Sequence, residues 1–584
     1  MKSVKILIIN LTRMGDLIES TSLFRKIKVV YPDSFVTLIV LPEFYEITRF
    51  FDCIDEVVTF DITNISGDIF KNNYNFNYRI YDYLENYLSR FTETNYKIVF
   101  NLTHDVMSSY FMYLLKADKF VGFSRSREGN LIQIGEIVLF FTGVAKIRKA
   151  SCINLVDIYA EMLPQKVPTR RVYLNTSKKP DAYESAKKIL SENGVKENDI
   201  VVSFAVGASS ELKKWKKEYF LELAMLLIKD DKNIRILILG AEYDKVTGEY
   251  IKENMKSKFK DNIVDLTGRT SVSELVNVVK RSDILITNDT GTMHIAAGVG
   301  TDIIVIYTGQ AGYFETGPYA ENQVLILPNI PCFPCDFSVK CNNFICADYI
   351  IPDSIFKIVK LKLENRLERE NLEGLDLGKI NPLISKFDKF GFMDYIPLKK
   401  IRLSFNDLRL KIFKLSMESV LNKNIPDTVT KGDITEVLNN YSDNTDEDKN
   451  IFSDMTELLT IADKMINFCS NAMKDLKSIL KDITGLRIDY NKATAALNAI
   501  ENSDLNLLFN GLIYDELFVL NVMYKSCKQS IASYDLFGFC VDSLKNFSKY
   551  KLYLQNYKRL ILEFNEEMMR NISTRSNEKF NLNK

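Results

Sequence analysis

Short apolar runs alternate with helix-like patterns through the first 330 residues of the chain. Apolar runs bounded by turn-forming residues are typical of buried strands, and a 3.6-residue period between them is typical of helices. The first series contains five predicted strands, at Val4–Ile9, Val36–Leu41, Glu56–Phe60, Ile98–Leu102 and Lys119–Phe123. The second series contains five more, at Ile200–Phe204, Ile234–Leu239, Asn262–Leu266, Asp283–Ile286 and Ile303–Tyr307. This alternation predicts an α/β protein with two Rossmann-like parallel-sheet domains.

The pattern changes after about residue 363, where proline becomes scarce and long helical stripes appear. One stripe consists of Ile401, Phe405, Leu408, Ile412 and Leu415. We therefore expect an all-α module after the two sheets. The predicted domains are residues 1–174 for the first sheet, residues 175–365 for the second sheet with a cysteine cluster, a linker over 366–400, and the helical module over 401–584.

Composition excludes several classes of protein. Lys plus Arg and Asp plus Glu both total 76, so no overall basic field favours a nucleic-acid partner. No apolar run approaches the ~18 residues of a membrane span. The start of the chain has the charge and apolar character of a signal peptide, but Thr12-Arg13-Met14-Gly15-Asp16 stands where a cleavage site would lie. We therefore interpret the start as a first strand and expect a cytoplasmic protein.

A helix start in the second series is a candidate phosphate site. Asp289 and Thr290 follow a predicted strand and suit a helix N-cap, and Gly291 lies directly behind them. The unpaired N–H groups and positive dipole end of such a helix attract phosphate, as in a nucleotide-sugar diphosphate. The alternative is an ordinary capped helix without a ligand.

Two more loops follow predicted strands. Asp16 begins a helix after the first strand, where its carboxylate could accept a proton from a sugar hydroxyl; alternatively it is only a favourable helix charge. Ser209 and Lys213 follow the first strand of the second series in a loop of small residues, where they could bind phosphate. A lysine on a loop is otherwise usually just solvated.

Taken together, these motifs resemble glycosyltransferase family 9, the ADP-heptose:lipopolysaccharide heptosyltransferases. The resemblance covers roughly residues 4–360 and rests on motifs in the family's order. These motifs are Met14-Gly15-Asp16, Gly207-Ala208-Ser209 with Lys213 and Trp215, Gly240-Ala241-Glu242, Thr267-Gly268-Arg269-Thr270, and Asn288-Asp289-Thr290-Gly291 with His294. The resemblance implies a GT-B fold, inverting transfer without a catalytic metal, and a role in lipopolysaccharide biosynthesis.

The same resemblance assigns roles to individual residues. It makes Asp16 the candidate catalytic base. It places Ser209, Lys213, Asp289, Thr290, Gly291 and His294 around the donor diphosphate, Glu242 near the ribose and Thr270 near the base. An ADP-sugar is the favoured donor. The chain departs from the family in lacking an Arg beside Ser209, in an insertion over residues 124–150 and in its helical tail, which leaves the acceptor open.

Histidines and cysteines add further candidates. His104 ends a predicted strand on the same side as Asp16, where it either binds the acceptor or is structural. Four of the nine cysteines, Cys332, Cys335, Cys341 and Cys346, have the spacing C-x2-C-x5-C-x4-C. That spacing suits a closed structural Zn or Fe site, and reduced thiols are the alternative. The resemblance adds that some related protein heptosyltransferases hold iron in this region.

The helical module has two possible roles. Basic residues flank its first stripe, namely Lys399, Lys400, Arg402, Arg409, Lys411 and Lys414. Such a helix could contact an anionic membrane surface at the inner face, or the stripe could pack against other helices, including those of a homo-oligomer. The predicted function is inverting transfer of a sugar, such as heptose, from a nucleotide diphosphate to a glycan or lipid-linked acceptor. The alternatives are transfer to a protein hydroxyl, or a non-catalytic scaffold that binds nucleotide or glycan.

Overall fold

The structure is a computed structural model and describes residues 4–61, 74–165, 171–335, 339–402, 405–421, 430–439, 441–442, 445–484, 514–529 and 536–582. Its chain divides into two compact units. The two-sheet unit consists of residues 1–124 and 153–399, and the helical unit consists of residues 125–152 and 400–584.

The first sheet has the strand order β3-β2-β1-β4-β5-β6. Its strands are β1 Lys5–Ile9, β2 Phe35–Val40, β3 Glu56–Thr59, β4 Asn95–Asn101, β5 Lys116–Arg125 and β6 Leu131–Ile134. Strands β1 to β5 pair in parallel, and Ile6 of β1 lies between Val36 of β2 and Ile98 of β4. Ile6 to Ile9 are fully buried, because helices cover both faces of a parallel sheet.

The second sheet has the order β14-β13-β12-β11-β10-β7-β8-β9. Its strands are β7 Ile200–Ala205, β8 Ile234–Leu239, β9 Ile263–Asp265, β10 Ile284–Asn288, β11 Asp302–Ile306, β12 Val324–Pro328, β13 Ile380–Phe387 and β14 Met393–Pro397. Strands β7 to β12 pair in parallel, whereas β13 and β14 are antiparallel additions at one edge. Two mostly parallel sheets and a helical region therefore confirm the predicted fold class.

Helices connect the strands of the two-sheet unit. They are Met14–Glu19, Thr21–Val30, Tyr45–Thr48, Tyr74–Thr92, Val106–Leu114, Leu155–Glu161, Pro180–Glu192, Lys217–Asp230, Lys245–Asn254, Val272–Arg281, Gly291–Val299, Tyr313–Thr316, Ile345–Tyr349, Pro352–Leu363 and Arg369–Glu373. The sequence predicts one continuous helix over residues 15–30, but two helices meet at Ser20. The Ser20 hydroxyl donates to the backbone carbonyl of Leu17 and also accepts from the side chain of Asn10.

Residues 366–400, for which we expect a linker, instead contain the helix Arg369–Glu373 and the hairpin β13–β14. Backbone hydrogen bonds between Asp388 and both Gly391 and Phe392 close the turn, where Gly391 has a φ of +78°. The hairpin covers the exposed edge of β12, which satisfies backbone groups that a sheet edge leaves unpaired.

The helical unit includes residues 125–152, which the sequence assigns to the first domain. Its helices are Glu136–Lys146, Phe405–Leu421, Lys431–Asn439, Thr445–Thr484, Asp515–Gln529 and Leu536–Leu582, beside a short parallel pair of β15 Ile401–Arg402 and β16 Tyr441–Ser442. The two longest helices pack along each other. The carboxylate of Glu136 forms an ion pair with the ammonium group of Lys549 at 2.7 Å, so the inserted segment packs as part of the helical unit.

The basic stripe packs inside the helical unit. Leu408 and Ile412 are fully buried, Arg409 pairs with Asp515 at 3.2 Å, and Lys414 pairs with Glu418 at 3.5 Å. Two of the six flanking cations are therefore buried, which favours helix packing over a membrane-surface role for this stripe. Across the described ranges, no helix has both the length and the apolar character needed to cross a bilayer.

Candidate active site

The predicted site residues follow the carboxyl ends of strands at the switch points of the two sheets. In the first sheet the order of the strands reverses between β1 and β4, and in the second sheet it reverses between β7 and β10. Asp16 follows β1 and His104 follows β4, whereas Lys213 follows β7 and Thr290 follows β10. Ligands of open parallel sheets bind at such switch points.

Asp16 lies in the first turn of the helix Met14–Glu19 and is half-buried. Its carboxylate accepts a hydrogen bond from the backbone N–H of Arg13 at 3.3 Å. Burial raises the pKa of Asp16, and Glu315 raises it further, while the backbone and charge of Arg13 oppose the shift. A raised pKa makes the ionised carboxylate a stronger base, which suits proton abstraction near neutral pH.

The second helix start is held by hydrogen bonds across the switch point. Thr290 is the N-cap of the helix Gly291–Val299, and its hydroxyl accepts from the N–H of Thr292 at 3.1 Å. The side chain of Asn288 accepts from the backbone of Trp215 at 2.9 Å and donates to the carbonyl of Val206 at 3.0 Å. The prediction that Thr290 caps a helix is thus confirmed. The hydrogen bonds of Asn288 join the start of this helix to the loop after β7.

Two glycines allow the two helix starts to meet. A Cβ on Gly15 would lie 3.0 Å from Cδ2 of His294, and a Cβ on Gly291 would lie 2.7 Å from Cε of Met14. The second distance is closer than real contacts permit, so the Met14 side chain would have to move to make room for a side chain at Gly291. The base candidate and the phosphate candidate therefore lie on adjoining helix N-termini, both of which attract anions.

Lys213 and Asp289 form a buried ion pair at this junction. Their side chains are 12% and 7% exposed, and Lys213 Nζ lies 2.6 Å from Asp289 Oδ2. The hydroxyl of Thr316 donates to the other oxygen of Asp289 at 3.2 Å. The sequence places Asp289 at the donor, whereas the structure shows it holding Lys213; the ammonium retains two further N–H donors for a phosphate.

His294 and Glu19 are buried beneath the same junction. His294 is 5% exposed and Glu19 is 1% exposed, and Nδ1 of His294 lies 3.6 Å from Oε1 of Glu19. Burial lowers the pKa of His294 to about 4. Burial raises the pKa of Glu19 well above its ordinary value. Glu19 was not among the predicted site residues. Its spacing of three positions from Asp16 is a sequence signal for it, because residues three apart lie on the same face of a helix.

The loops after β8 and β9 bring two other predicted residues near each other. Glu242 is exposed and pairs with Lys245 at 2.6 Å. Gly268 has a φ of +63°, and a Cβ there would lie 2.5 Å from Oε2 of Glu242. Thr270 follows two residues later and is partly exposed. Strands β8 and β9 lie on the side of β7 away from β10, which precedes the Thr290 helix. A nucleoside attached to a diphosphate at that helix would extend toward the loops after β8 and β9.

Asp244 supports the donor loops and was not predicted. It is 3% exposed, and its carboxylate accepts from the N–H of Ala241 at 3.0 Å. A Cβ on Gly207 would lie 2.3 Å from its Oδ2, so glycine at position 207 leaves room for this carboxylate. Small residues in a loop signal close backbone approach, but not which side chain fills the space. Ser209, in the same loop, is exposed.

His104 follows β4 in the first sheet, beside the strand that precedes Asp16. Its ring is exposed, and its charge is among the influences that lower the pKa of Asp16. The helix Val106–Leu114 begins directly after it, capped by Asp105, which accepts from the N–H of Ser108 at 2.7 Å. The structure therefore brings His104 to the side of the cleft that contains Asp16.

The four clustered cysteines lie near one another but do not form a metal-binding group. Cys332 is exposed, Cys346 is buried, and none of the four forms a disulfide. Burial raises the pKa of Cys346, and the thiols of Cys332 and Cys341 add to the rise. Within the part of the chain that the structure describes, no three His, Cys, Asp or Glu side chains are arranged to hold a metal ion. As placed, the residues do not fit a tetrahedral site.

The middle of the chain is similar to one family of known proteins. The sequence pattern of "Glycosyltransferase family 9 (heptosyltransferase)" matches residues 87–343. Lipooligosaccharide heptosyltransferase 2 of Haemophilus influenzae is 27% identical over 161 residues, which are 27% of this chain and 45% of that protein. Its counterpart in Haemophilus ducreyi is 26% identical over 166 residues, 28% of this chain and 47% of that protein. The chain thus spans less than half the length of these relatives.

Among solved structures, a glycosyl transferase family 9 protein of Veillonella parvula aligns with 62% of this chain and 99% of its own. The identity is 19% and the TM-score is 0.47. Asp16 precedes the residues matched by the family pattern, and Cys346 and the residues beyond 400 follow them. The resemblance that the motifs predict is confirmed in that residues 87–343 match the pattern of glycosyltransferase family 9, and a helical region lies outside them.

Proposed function

We propose that the two-sheet unit is an inverting glycosyltransferase. It moves a sugar, with heptose the favoured choice, from a nucleotide-diphosphate donor to a glycan or lipid-linked acceptor. The observation that carries this proposal is the meeting of the Asp16 and Thr290 helix starts at the switch points of two sheets. A carboxylate with a raised pKa and a phosphate-binding helix start are the two groups that such a transfer requires.

The groups at the junction account for each bond formed or broken in the transfer and for the proton that is released. The acceptor hydroxyl oxygen forms a bond to the anomeric carbon, and its proton passes to the carboxylate of Asp16. The bond from the anomeric carbon to the phosphate oxygen breaks, and its electron pair leaves with the nucleoside diphosphate. Because attack comes from the face opposite the leaving group, the configuration inverts. Lys213 and the N–H groups behind Thr290 stabilise the negative charge that develops on the diphosphate.

The donor would lie across the carboxyl ends of the second sheet. Its diphosphate meets the Thr290 helix and Lys213, and its nucleoside extends toward Glu242 and Thr270. Support comes from the strand order, since β8 and β9 lie beyond β7 on the side away from β10. An adenine nucleotide is favoured by the resemblance of the motifs to the ADP-heptose transferases of glycosyltransferase family 9, whose pattern matches residues 87–343.

The acceptor would approach over His104. The helix that follows His104 exposes apolar and aromatic side chains, including Val106 at 61% and Tyr110 at 46%. Exposed apolar surface on one helix face marks an interaction site more often than chance. Its position at the end of β4 supports binding of the acceptor on the Asp16 side of the junction.

A structural Zn or Fe ion remains a prediction from the cysteine spacing alone. The arrangement of Cys332, Cys335, Cys341 and Cys346 does not support it, and no step of the proposed reaction runs through a metal. Elemental analysis of protein purified without chelators decides the point. About one equivalent of metal, lost in a Cys335→Ser variant, would support a closed four-cysteine site.

The proposal is tested by a panel of ADP, GDP, UDP and CDP measured by calorimetry, followed by the sugar conjugates of the nucleotide that binds. We expect ADP to bind most tightly and its heptose conjugate to be slowly hydrolysed when acceptor is absent. Binding of no nucleoside diphosphate would reject the donor site. Tight ADP binding without hydrolysis or transfer would instead favour a non-catalytic nucleotide-binding role.

A further inference from the structure

Glu19 is a buried carboxyl group for which the proposed reaction has no direct use. It is the last residue of the helix Met14–Glu19, and among the described residues neither of its side-chain oxygens has a hydrogen-bond partner. Burial raises the pKa of Glu19, and the negative charges of Asp16, Asp289 and Glu315 raise it further. An isolated carboxylate is costly to bury, so the folded protein favours the protonated acid.

The side chain opposite Glu19 is His294, which is neutral for the same physical reason. Burial is the largest cause of its lowered pKa, and Lys213 lowers it as well, while Asp289 opposes the shift. A neutral imidazole has one N–H donor and one acceptor nitrogen. Nδ1 lies 3.6 Å from Oε1 of Glu19, just beyond hydrogen-bond distance.

The second ring nitrogen faces the junction of the two helix starts. A Cβ on Gly15 would lie 3.3 Å from Nε2 of His294, so this nitrogen borders the first turn of the Asp16 helix. His294 itself belongs to the first turn of the helix capped by Thr290. Nε2 thus lies between the two helix starts at which the donor diphosphate is proposed to bind.

We propose that Glu19 is a positioning residue whose carboxyl O–H donates to Nδ1 of His294 and keeps the imidazole proton on Nε2. This assignment rests on the proposed function in one respect, namely that the Nε2–H group then serves an anionic diphosphate oxygen. The carboxyl group acts through His294 and contacts no substrate.

Electrostatics of the junction explain why a neutral acid suits this place. The groups around the pair are Asp16 and Tyr159 from the first domain, and Lys213, Asp289 and Glu315 from the second. An ionised Glu19 would add a negative charge where a diphosphate must bind. Its carboxylate would also accept a hydrogen bond from Nδ1–H. The imidazole would then carry its proton on Nδ1, and Nε2 would present a lone pair to the phosphate.

The test compares Glu19→Gln with Glu19→Met in the full chain. The carboxamide of glutamine can still donate to Nδ1, whereas methionine fills the space without a donor. We expect ADP affinity measured by calorimetry to stay within about twofold in Glu19→Gln and to fall roughly 3- to 12-fold in Glu19→Met, the size of one typical hydrogen bond.

The tautomer is measured separately by NMR of protein labelled only at histidine. The chain has two histidines, so a His104→Gln variant assigns both signals. At pH 7 we expect neutral His294 with its proton on Nε2 in the wild type and in Glu19→Gln, and a mixture of tautomers in Glu19→Met. These spectra require no ligand.

Three results would overturn the assignment. They are an imidazolium at His294 in the wild type at pH 7, a proton on Nδ1, and equal loss of ADP affinity in the glutamine and methionine variants. Failure of the wild type to bind ADP would reject the proposed donor site, while the NMR result would still decide the role of Glu19. If Glu19→Met does not fold, the wild-type and Glu19→Gln spectra are sufficient.

Discussion

Two buried lysine–carboxylate pairs, one in each unit, have the same chemistry and different surroundings. Lys213 and Asp289 come from loops after two adjacent strands, and their nitrogen and oxygen atoms lie 2.6 Å apart. Lys414 and Glu418 lie one turn apart on a single helix at 3.5 Å, and both are almost wholly buried. The first pair has 12% and 7% of its side chains exposed, so a small ligand can reach it; the second has 3% and 0%.

The difference shows that a buried ion pair is not in itself a sign of a functional site. The Lys414 pair lies among packed helices, where its contribution is structural. The Lys213 pair lies at a switch point beside two helix N-termini, where the ammonium group of Lys213 would contact a bound anion as well as Asp289. Strand topology, rather than residue type, separates the two roles.

The largest expected effect tests the junction itself. Asp16→Asn should keep ADP affinity and lower the rate of transfer roughly 10²- to 10⁴-fold, the range of a general base. Asp105→Asn is the matched control, because it also changes an acidic residue after a strand of the first sheet, and asparagine caps a helix as well as aspartate. Near-normal turnover in Asp16→Asn would reject its role as the base.

Breaking the structural pair should affect stability alone. Lys414→Met removes the cation that pairs with buried Glu418, and we expect the free energy of unfolding to fall by about 3–5 kcal/mol. A Lys414→Met/Glu418→Met double variant should recover much of that loss. Denaturant unfolding measures both variants, and ADP calorimetry checks that affinity is unchanged. A selective loss of ADP affinity in Lys414→Met would contradict the comparison.

The pH dependence of stability should reveal His294. Its pKa of about 4 in the folded protein lies below the ordinary 6.5, so the unfolded chain binds more protons between these values. The stability that its neutral form contributes is therefore present above pH 6.5 and is lost as pH falls toward 4. Relative to His294→Asn, the wild type should lose on the order of 3 kcal/mol over this window.

Denaturant unfolding at several pH values measures that difference. His104→Gln is the matched control, because the His104 ring is exposed. If the gap between wild type and His294→Asn is constant from pH 7 to pH 4, the ring is not buried in its neutral form.

The smallest expected effect separates the donor pair from ordinary surface lysines. Lys213→Ala should weaken ADP binding by ~1.5–3 kcal/mol and adenosine binding far less, because the lost contact is to phosphate. Lys214→Ala is the control, since Lys214 pairs with Glu211 at 2.6 Å in the same loop. Equal losses for ADP and adenosine would place Lys213 away from the phosphates.

Local patterns predict strands and loops well, but not the residues that meet across them. The apolar runs predict β8 at its observed bounds, and the polar residues after β10 predict the Thr290 cap. Glu19 could not be singled out, because its importance depends on His294, some 275 positions away. The same holds for Asp157, which accepts from Tyr319 at 2.6 Å in the other domain.

The hairpin β13–β14 was missed for a different reason. Its alternating burial is short and interrupted by Pro382, and a helical pattern dominates the residues that follow. Its turn at Gly391 is the local signal that could have identified it. Membership of residues 125–152 in the helical unit has no local signal at all, because their packing partners lie several hundred residues later.

That membership has a consequence for how the protein is made. The apolar helix Glu136–Lys146 packs against Val519, and a Cβ on Gly143 would lie 3.0 Å from the carbonyl oxygen of Val519. The ribosome synthesises this helix long before Val519. At a synthesis rate of 5–20 residues per second, the first helix waits roughly 20–80 s for its partner. Completion of the helical unit is thus postponed until the residues around Val519 have been synthesised, and a chain that stops before them would leave an apolar helix uncovered.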